Sequence, residues 1–459
     1  MALNLYNTKT KTIDVFTPLN GNIVTLYACG PTVYDYTHIG HMRKYIGDDL
    51  LCRTLSYLGY DVKHVMNITD VGHLTNDSDE GDDKFEGKAM SEGKSVWDIA
   101  KLYTDYFHES MRAINVLPPN TKEAKATEHI PQMISLVEKL IAKGHAYETA
   151  VGIYFDTQTF KDYGSLSGQK LSEKEIGARD DVVVDKEKKH PADFVLWFKR
   201  VGRFAQHSMY WPSPWGEGFP GWHIECSAMS MHYLGETIDI HTGGIDHIPV
   251  HHENEIAQSE CSTGHDFVRF WVHHAFLNVD GEKMSKSKHN FYTISDIEGH
   301  NINPLSMRLL AMQTSYRKPL NFTWEALSSA DLQLKKLQKF ASKKELGGNI
   351  TDEYKKEFIE SISEDLNFAK ALAVVWKMLA DENTSEADKY ATLISFDEVL
   401  GLNLSSVPEF SISDEAKNLL EKMKVARENK DYTTSDAIRA ELEKLGYKVE
   451  QSTQGIVLS

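Results

Sequence analysis

The sequence predicts an α/β protein in which a parallel sheet is split by an insertion and followed by helices. Residues 22–29 and 61–69 are apolar, β-branched runs typical of buried strands, and residues 40–58 between them have a helical pattern. Strand, helix and strand at this spacing form a βαβ unit, which requires a parallel sheet. Strand-like runs return at 192–198, 237–241 and 270–277, after a mixed, charged stretch typical of an inserted module.

Local signals set the ends of these elements. Gly30 and Pro31 end the first strand, and Gly59 follows the first helix, where glycine commonly terminates helices. We expect another helix over residues 120–145. Beyond about residue 320 amphipathic helices predominate, and the last 50 residues predict two helices and a strand-like tail. Four apolar residues share one face of the first of these helices: Leu327, Leu334, Leu337 and Ala341.

Composition excludes several classes of protein. The 459 residues carry a net charge of −17, so indiscriminate nucleic-acid binding is excluded, because an acidic surface repels polyanions. The charge is polarised, since residues 283–344 carry +7 and the rest −24. The chain has no apolar run near 18 residues, so we expect no membrane span. Only four cysteines occur, which favours a reducing, cytoplasmic location.

A histidine motif stands where the first strand gives way to the first helix. It reads His38, Ile39, Gly40 and His41. Glycine lets a ligand approach the backbone, and the unpaired N–H groups of a helix N-terminus suit phosphate. The two imidazoles face one side and could donate hydrogen bonds to a phosphate that gains charge. The alternative is a pair of ordinary surface histidines.

A second motif follows the strand that ends near residue 277. Residues 283–287 read Lys-Met-Ser-Lys-Ser, so Lys283 and Lys286 stand beside two hydroxyls. Such a loop could bind a triphosphate, although taken alone it is more typical of a solvated basic loop. The presence of both motifs in one chain, each after a predicted parallel strand, favours the nucleotide-binding interpretation.

The two motifs together resemble the signatures of class I aminoacyl-tRNA synthetases. Three further stretches resemble the cysteinyl-tRNA synthetases: ACGPTVYD at 28–35, GWHIECSAM at 221–229 and HHENEIAQ at 251–258. The resemblance runs nearly from end to end. It implies ATP-dependent ligation of L-cysteine to tRNA(Cys) through a cysteinyl adenylate, with Mg²⁺ accompanying ATP. In that interpretation His38 and His41 stabilise the phosphates, and Lys283 and Lys286 hold the departing pyrophosphate.

A possible metal site can be argued from the residues themselves. Two cysteines, with a histidine and a glutamate four residues apart on one face of a predicted helix, are chemically suited to Zn²⁺. Isolated cysteines are more often small buried apolar groups, and this alternative stays open on the residues alone. The resemblance implies one zinc ion per chain, held by Cys29, Cys226, His251 and Glu255. The neighbours expected to compete as ligands are His252 and Glu253.

The metal would explain how such an enzyme selects cysteine. Serine differs from cysteine only by oxygen for sulfur, and a pocket that distinguishes shape alone rejects a near-isostere weakly. Zinc favours thiolate, so we expect no separate editing domain. Other matched positions imply a cysteine pocket at Thr69, Trp222 and His241. The ATP site is expected to comprise His38, Gly40, His41, Gly243, Gly244, Asp246, Lys283 and Lys286. Core packing for Trp222 and a turn at 243–246 are the alternatives.

The C-terminal part resembles the tRNA-reading modules of the family. Arg427, Tyr432 and Asp436 match positions that face the anticodon. Tyr432 stands where the family commonly has tryptophan, although a tyrosine can also stack on a base. Residues 433–436 also fit a helix capping box, which would explain Asp436 without RNA. The basic stretch 283–344 is expected to flank the tRNA.

The resemblance also implies a domain organisation, with the chain expected to act as a monomer. We expect a Rossmann-type catalytic domain at 1–115 and 196–282, a connective insertion at 116–195, a signature loop and stem-contact segment at 283–320, a helical bundle at 321–400 and an anticodon-binding module at 401–459. The sequence alone leaves two rival functions open. One is a cysteine ligase with a small amine acceptor, as in the mycothiol pathway. The other is a non-catalytic zinc-containing RNA-binding protein.

Overall fold

A five-stranded parallel sheet forms the centre of the computed structural model. The structure describes residues 2–72, 74–76, 80–169, 187–285, 288, 290–409, 413–445, 447–452 and 455–458. After a hairpin of β1 (Asn4–Asn7) and β2 (Thr12–Val15), the chain enters the sheet at β3 (Ile23–Ala28). The other strands of this sheet are β4 (Asp61–Ile68), β7 (Lys122–Lys125), β13 (Ile238–Gly244) and β14 (Val268–His274). Their order is β14-β13-β3-β4-β7, and every neighbouring pair is parallel.

The predicted βαβ unit is confirmed. Helix α1 (Ile39–Tyr57) joins β3 to β4, and Gly59 follows its C-cap, Leu58, with a positive φ of 92°. A small hairpin of β5 (Leu74–Asn76) and β6 (Glu80–Asp83) then leads into α2 (Lys84–Glu92) and α3 (Val96–Ala113). Because parallel strands end at the same edge of a sheet, the segments that follow β3, β4 and β13 meet there.

The helix expected at 120–145 is shorter than predicted. Residues 122–125 form β7, the edge strand that pairs with β4, and α4 occupies only Ile130–Ala142. Only Ala124 is buried in β7, so this charged edge strand has no apolar run to distinguish it from a helix.

The run at 192–198 does not resume the parallel sheet. It forms β10 (Phe194–Lys199) of a separate antiparallel sheet with the order β11-β12-β10-β9-β8. The other strands of this antiparallel sheet are β8 (Ala146–Glu148), β9 (Gly152–Phe155), β11 (Trp211–Ser213) and β12 (Gly216–Pro220), and β10 pairs directly with β9 and β12. The expected boundary at 195/196 therefore lies inside a strand. The error arises because a short, fully buried strand has the same apolar pattern in either kind of sheet.

The chain returns to the parallel sheet through helices that carry candidate site residues. These are α5 (Trp222–Leu234) and α6 (Glu253–Thr263). After β14 the strands β15 (Leu277–Val279), β16 (Glu282–Lys283) and β17 (Leu320–Phe322) form a small sheet. Two helices, α7 (Ile294–Gly299) and α8 (Leu305–Met312), lie between β16 and β17 along the chain.

The C-terminal third is helical, as predicted. Its helices are α9 (Trp324–Ala341), α10 (Asp352–Ser363), α11 (Phe368–Ala380), α12 (Glu386–Leu400), α13 (Asp414–Glu428) and α14 (Tyr432–Lys444), followed by β18 (Val449–Ser452) and β19 (Gly455–Leu458). Helices α9 to α12 share a hydrophobic core with α1, whereas α13 and α14 enclose a small core of their own. The predicted apolar face of α9 is fully buried. Within the described ranges, every helix is too short or too polar to cross a membrane.

Candidate active site

Four predicted metal ligands meet at the carboxyl edge of the parallel sheet. Cys29 directly follows β3, Cys226 lies in α5, His251 lies in the turn before α6, and Glu255 lies in α6. One ligand atom from each lies within 4.8 Å of the others, and all four residues are buried. The sequence separates these residues by as many as 226 positions, and the fold brings them to one point.

A second grouping overlaps the first. Cys29, His241, His252 and Glu255 also place ligand atoms within 4.8 Å of one another. The Nε2 atom of His252 lies 3.3 Å from Sγ of Cys29, so His252 is within reach as a competing ligand. Glu253, the other expected competitor, is turned away, because its carboxylate accepts backbone N–H groups from Gly164 and Ser167.

The electrostatics of the cluster fit a cation. Burial opposes ionisation of Cys29, but a hydrogen bond with Cys226 and the nearby imidazoles outweigh it and hold the pKa of Cys29 well below its ordinary value. The same hydrogen bond, together with burial, raises the pKa of Cys226 well above its ordinary value. Because the thiolate is the form that binds a metal, the lowered pKa of Cys29 favours a cation, and metal binding would release the proton that Cys226 retains.

Glu255 supports the same conclusion. Burial opposes its charge, but His241 and His251 lower the pKa of Glu255 to about 2, so it is a carboxylate. Its Oε1 lies 2.9 Å from Nε2 of His251, yet this buried oxygen accepts no well-aligned hydrogen bond in the described part of the chain. Two thiols, an imidazole and a carboxylate that converge in this way fit the donor set and the coordination number of Zn²⁺.

His223 supports the cluster and was not predicted. Its Nδ1 lies 3.0 Å from Nδ1 of His251, which leaves Nε2 of His251 directed toward Glu255. The side chain of Gln258 donates to the carbonyl of His223 at 2.5 Å and so fixes the start of α5. An outer partner of this kind orients a metal-binding imidazole. The sequence signal for His223 was its place beside Trp222 in the stretch 221–229, which resembles the cysteinyl-tRNA synthetases.

The three residues expected in the cysteine pocket take different positions. The half-buried ring of Trp222 stacks on His251 with 4.1 Å between centroids, beside the cluster. Thr69, at the end of β4, donates a 2.8 Å hydrogen bond to the buried carboxyl of Glu225. His241 is fully buried, and its Nε2 lies 3.0 Å from Oε2 of Glu255. This imidazole therefore contacts a candidate metal ligand.

The histidine motif caps its own helix. Nδ1 of His38 accepts hydrogen bonds from the N–H groups of Gly40 and His41 at 3.1 and 3.3 Å, and the two imidazoles stack at 3.6 Å. The expectation of unpaired N–H groups at these two positions is therefore wrong, because a side chain satisfies them. Since Nδ1 of His38 accepts, its ring proton is on Nε2. The N–H of His38 donates to Nδ1 of His41 at 3.4 Å, so the ring proton of His41 is on Nε2, and desolvation by the neighbouring groups lowers the pKa of this exposed histidine.

The second motif meets the first in space. An added Cβ on Gly40 would lie 3.1 Å from Cε of Met284, and the N–H of Ile39 donates to the carbonyl of Tyr292 at 2.9 Å. The ring of His38 is nearer still, with Cε1 2.9 Å from the added Cβ, so Gly40 makes room chiefly for that ring and only secondarily for the flexible end of Met284. Lys283 is exposed at the end of β16. Lys286 lies outside the described residues.

The glycines after β13 make room for side chains. An added Cβ on Gly243 would lie 2.5 Å from the ring of His252, and one on Gly244 would lie 2.2 Å from Oδ1 of Asp246. Asp246 is exposed and lies close enough to the histidine motif for its charge to raise the pKa of His41, which opposes the effect of desolvation. These contacts account for both glycines without a ligand.

The predicted anticodon residues lie on the last two helices. Tyr432 is the first residue of α14 and is 64% exposed. Nε of Arg427 donates to Oγ of Ser435 at 3.1 Å, and Asp436 is exposed. The helix cap is Asp431, which accepts from the N–H of Thr434, so the capping box considered at 433–436 is wrong.

Much of the charge in the basic stretch 283–344 is already paired. Lys335 forms an ion pair of 2.6 Å with Asp331 inside the stretch, whereas Lys336 is exposed. Other cations pair with carboxylates outside the stretch: Arg308 with Asp49, Arg317 with Asp365 and Lys343 with Glu386. The count of +7 therefore overstates the charge that this region presents to a polyanion.

Comparison with solved structures defines the fold. A methionyl-tRNA synthetase of Mycobacterium tuberculosis in complex with methionyl-adenylate aligns with a TM-score of 0.57 and 15% identity, covering 88% of this chain and 94% of that chain. A leucyl-tRNA synthetase (LeuRS) of Agrobacterium radiobacter aligns with a TM-score of 0.59 and 12% identity, covering 87% and 88%. The fold is thus that of the class I aminoacyl-tRNA synthetases.

Sequence comparison identifies the branch of that class. Residues 15–332 match the family described as tRNA synthetases class I (C) catalytic domain. A cysteine–tRNA ligase of Treponema denticola is 40% identical over 98% of both chains. Cysteine–tRNA ligase 1 of Burkholderia lata is 42% identical over 99% of this chain and 96% of its own length. The chain belongs to the cysteine–tRNA ligase family, and the resemblance seen in the sequence is confirmed.

Proposed function

We propose that this chain ligates L-cysteine to tRNA(Cys) at the expense of ATP, with Mg²⁺ bound to the nucleotide. The observation that carries the proposal is the buried cluster of Cys29, Cys226, His251 and Glu255, which α1, the helix of the histidine motif, contacts where Lys44 donates to the carbonyl of Cys29. The four residues would hold Zn²⁺, which when bound supplies a soft Lewis acid that favours a thiolate over a hydroxyl. The stack of Trp222 on His251 supports a cysteine pocket next to the cluster.

In the first step a carboxylate oxygen of cysteine attacks the α-phosphorus of ATP. The new oxygen–phosphorus bond gives the cysteinyl adenylate, the bond to the bridging oxygen breaks, and pyrophosphate leaves. His38 and His41 offer neutral rings that donate hydrogen bonds to the phosphates as they gain charge. Lys283 and Lys286 are assigned to the departing pyrophosphate. Catalysis by this arrangement is positioning and electrostatics, with no side-chain nucleophile.

The remaining residues are assigned by position. Gly243, Gly244 and Asp246 lie at the carboxyl edge of β13, where open α/β sheets bind nucleotides, and would contact adenosine. Thr69 and His241 would line the polar side of the cysteine pocket, where Thr69 hydrogen-bonds to Glu225 and His241 contacts Glu255.

In the second step the terminal ribose hydroxyl of the tRNA attacks the carbonyl carbon of the adenylate, and AMP leaves. The exposed ring of Tyr432 is suited to stacking on an anticodon base, with Arg427 and Asp436 nearby in the same helical pair. These helices favour a tRNA over a small amine acceptor. The complete signature motifs argue against a non-catalytic RNA-binding protein. The proposed setting is a monomer in the cytoplasm, where the four free cysteines stay reduced.

A charging assay tests the assignment of the acceptor. The chain, ATP and labelled cysteine should charge tRNA(Cys), and Tyr432→Ala should raise the Michaelis constant for tRNA while cysteine-dependent ATP–pyrophosphate exchange stays unchanged. Leu445→Ala, a half-exposed residue after α14, is the control and should alter neither. Exchange without tRNA charging would favour the small-acceptor ligase. The absence of both activities would favour the non-catalytic protein.

A further inference from the structure

Arg43 lies on α1, two residues after His41, and its side chain points the other way. Residues two apart on a helix are separated by about 200° around its axis. His41 is accordingly exposed, whereas Arg43 points into the protein and is only 4% exposed. The helix that carries the histidine motif can therefore be held from behind by whatever the guanidinium of Arg43 contacts.

This guanidinium donates to four backbone carbonyls on two segments of the chain. Nη1 donates to the carbonyl of Ala275 at 2.9 Å and to that of Phe276, directly before β15. Nη2 donates to the carbonyl of Ser315 at 3.1 Å and to that of Lys318, shortly before β17. Arginine presents its N–H donors in a rigid planar fork, so one side chain can bind both segments in a fixed geometry.

The two segments lead into the small sheet that carries the second signature motif. They are joined to each other, because the N–H of Leu320 donates to the carbonyl of Phe276 at 3.0 Å, and β15 pairs with β17 in parallel. On its other side β15 pairs with β16, where Asn278 stands opposite Lys283. The strand that carries Lys283 is thus connected to α1 through the hydrogen bonds of Arg43.

The stability of the fold alone does not explain an arginine at this position. Arg43 has no carboxylate partner among the described residues, whereas Arg53 on the same helix pairs with Asp49 at 2.7 Å. Burial lowers the pKa of Arg43 to about 10, so the side chain is still a cation at neutral pH. A buried cation costs desolvation free energy that an apolar side chain of similar volume would avoid. The position therefore requires the fork of donors.

We propose that Arg43 is a positioning residue, which fixes the distance between the histidine motif on α1 and Lys283 on β16 and so places this lysine against the departing pyrophosphate. The inference rests on the proposed ligase function and adds to it a residue outside both signature motifs. Arg43 acts through Lys283, and an error of about 1 Å in the placement of a catalytic group can slow a reaction about 100-fold.

A double-variant cycle in the full-length, zinc-loaded chain tests the proposal. The measured quantities are kcat and KM of cysteine-dependent ATP–pyrophosphate exchange. Arg43→Met should lower kcat about 100-fold, with unchanged zinc content and unchanged KM for cysteine. Lys283→Ala should lower kcat strongly in the parent chain. In the Arg43→Met chain it should lower kcat by less than about twofold further, because the lysine is already out of place.

Arg53→Met is the matched control. Arg53 also donates to backbone carbonyls, those of Asn115 and Glu398, but these lie outside the small sheet. This variant should leave kcat unchanged and should leave the effect of Lys283→Ala at its full size. Arg43→Lys keeps the charge but donates from a single nitrogen, so it should behave as Arg43→Met does and serves in its place if Arg43→Met does not fold.

The proposal would be overturned if the effects of Arg43→Met and Lys283→Ala multiply, if Lys283→Ala has no effect in the parent chain, or if Arg43→Lys retains full exchange. Loss of the fold, of zinc or of cysteine affinity in both Arg43 variants would also overturn it, because Arg43 would then support the whole site. Absence of exchange in the parent chain would instead refute the proposed ligase function, and this inference with it.

Discussion

Nδ1 of His223 lies 3.0 Å from Nδ1 of His251, so a histidine outside the predicted ligand set orients one inside it. Since one of the two nitrogens must donate and the other accept, the contact fixes how Nε2 of His251 faces the cluster.

His223→Ala should therefore lower zinc affinity about 10- to 100-fold without removing a ligand. Titration with a zinc-selective chelator measures this. His232→Ala, on the same helix but away from the cluster, is the matched control. Zinc affinity equal to that of the unmodified chain would show that His223 is only a packing residue.

Cys226→Ala should lose bound zinc and cysteine activation together, because it removes one of four ligands and the hydrogen bond between Cys226 and Cys29. Metal content by atomic absorption and cysteine-dependent exchange measure the two effects. Cys261→Ala, a cysteine in neither metal grouping, should keep both properties. Full activity of Cys226→Ala without metal would refute the zinc assignment.

The pair formed by His207 and Asp83 should make stability depend on pH. The two side chains lie 3.2 Å apart and are buried. Burial opposes charging of His207, but Asp83 outweighs it and raises the pKa of His207. The folded chain thus binds this proton more tightly than the unfolded chain, so the stabilisation is complete below about pH 6.5 and is lost as pH rises through the raised pKa.

His207→Leu should accordingly cost about 1–3 kcal/mol at pH 6 and less at pH 9. Urea unfolding at a series of pH values measures the difference, with His265→Leu, an exposed histidine, as the control. A cost that does not change with pH would mean that His207 is neutral in the folded chain.

Lys336→Ala should raise the Michaelis constant for tRNA and reduce its dependence on salt, because an exposed cation that contacts phosphate releases counterions. Lys335→Ala should have a smaller effect, since Lys335 is paired with Asp331. Equal Michaelis constants at low salt for both variants and the parent would show that α9 does not flank the tRNA.

The sequence was informative where a motif is local and failed where proximity depends on the sheet. Cys29, Cys226, His251 and Glu255 could be proposed because their stretches resemble a family. The approach of His241 and His252 to the same point depends on the registration of β13 beside β3, which no local pattern reveals. Strands β7 and β10 were misassigned for a related reason, since their pairing partners lie far away in sequence.

The helix caps show the same limit at a smaller scale. The position of α1 was predicted to within a residue, yet its N–H groups proved to be satisfied by His38. A histidine is an uncommon cap, so its role emerged only from the geometry of the ring.

The central claim is that the buried cluster selects cysteine for activation, and ATP–pyrophosphate exchange tests it most directly. Exchange is measured with cysteine and with serine, before and after chelator treatment, and again after Zn²⁺ is restored. The account predicts exchange with cysteine alone, its loss on chelation and its recovery with Zn²⁺. Equal exchange with serine, or cysteine-dependent exchange that survives complete removal of the metal, would contradict it.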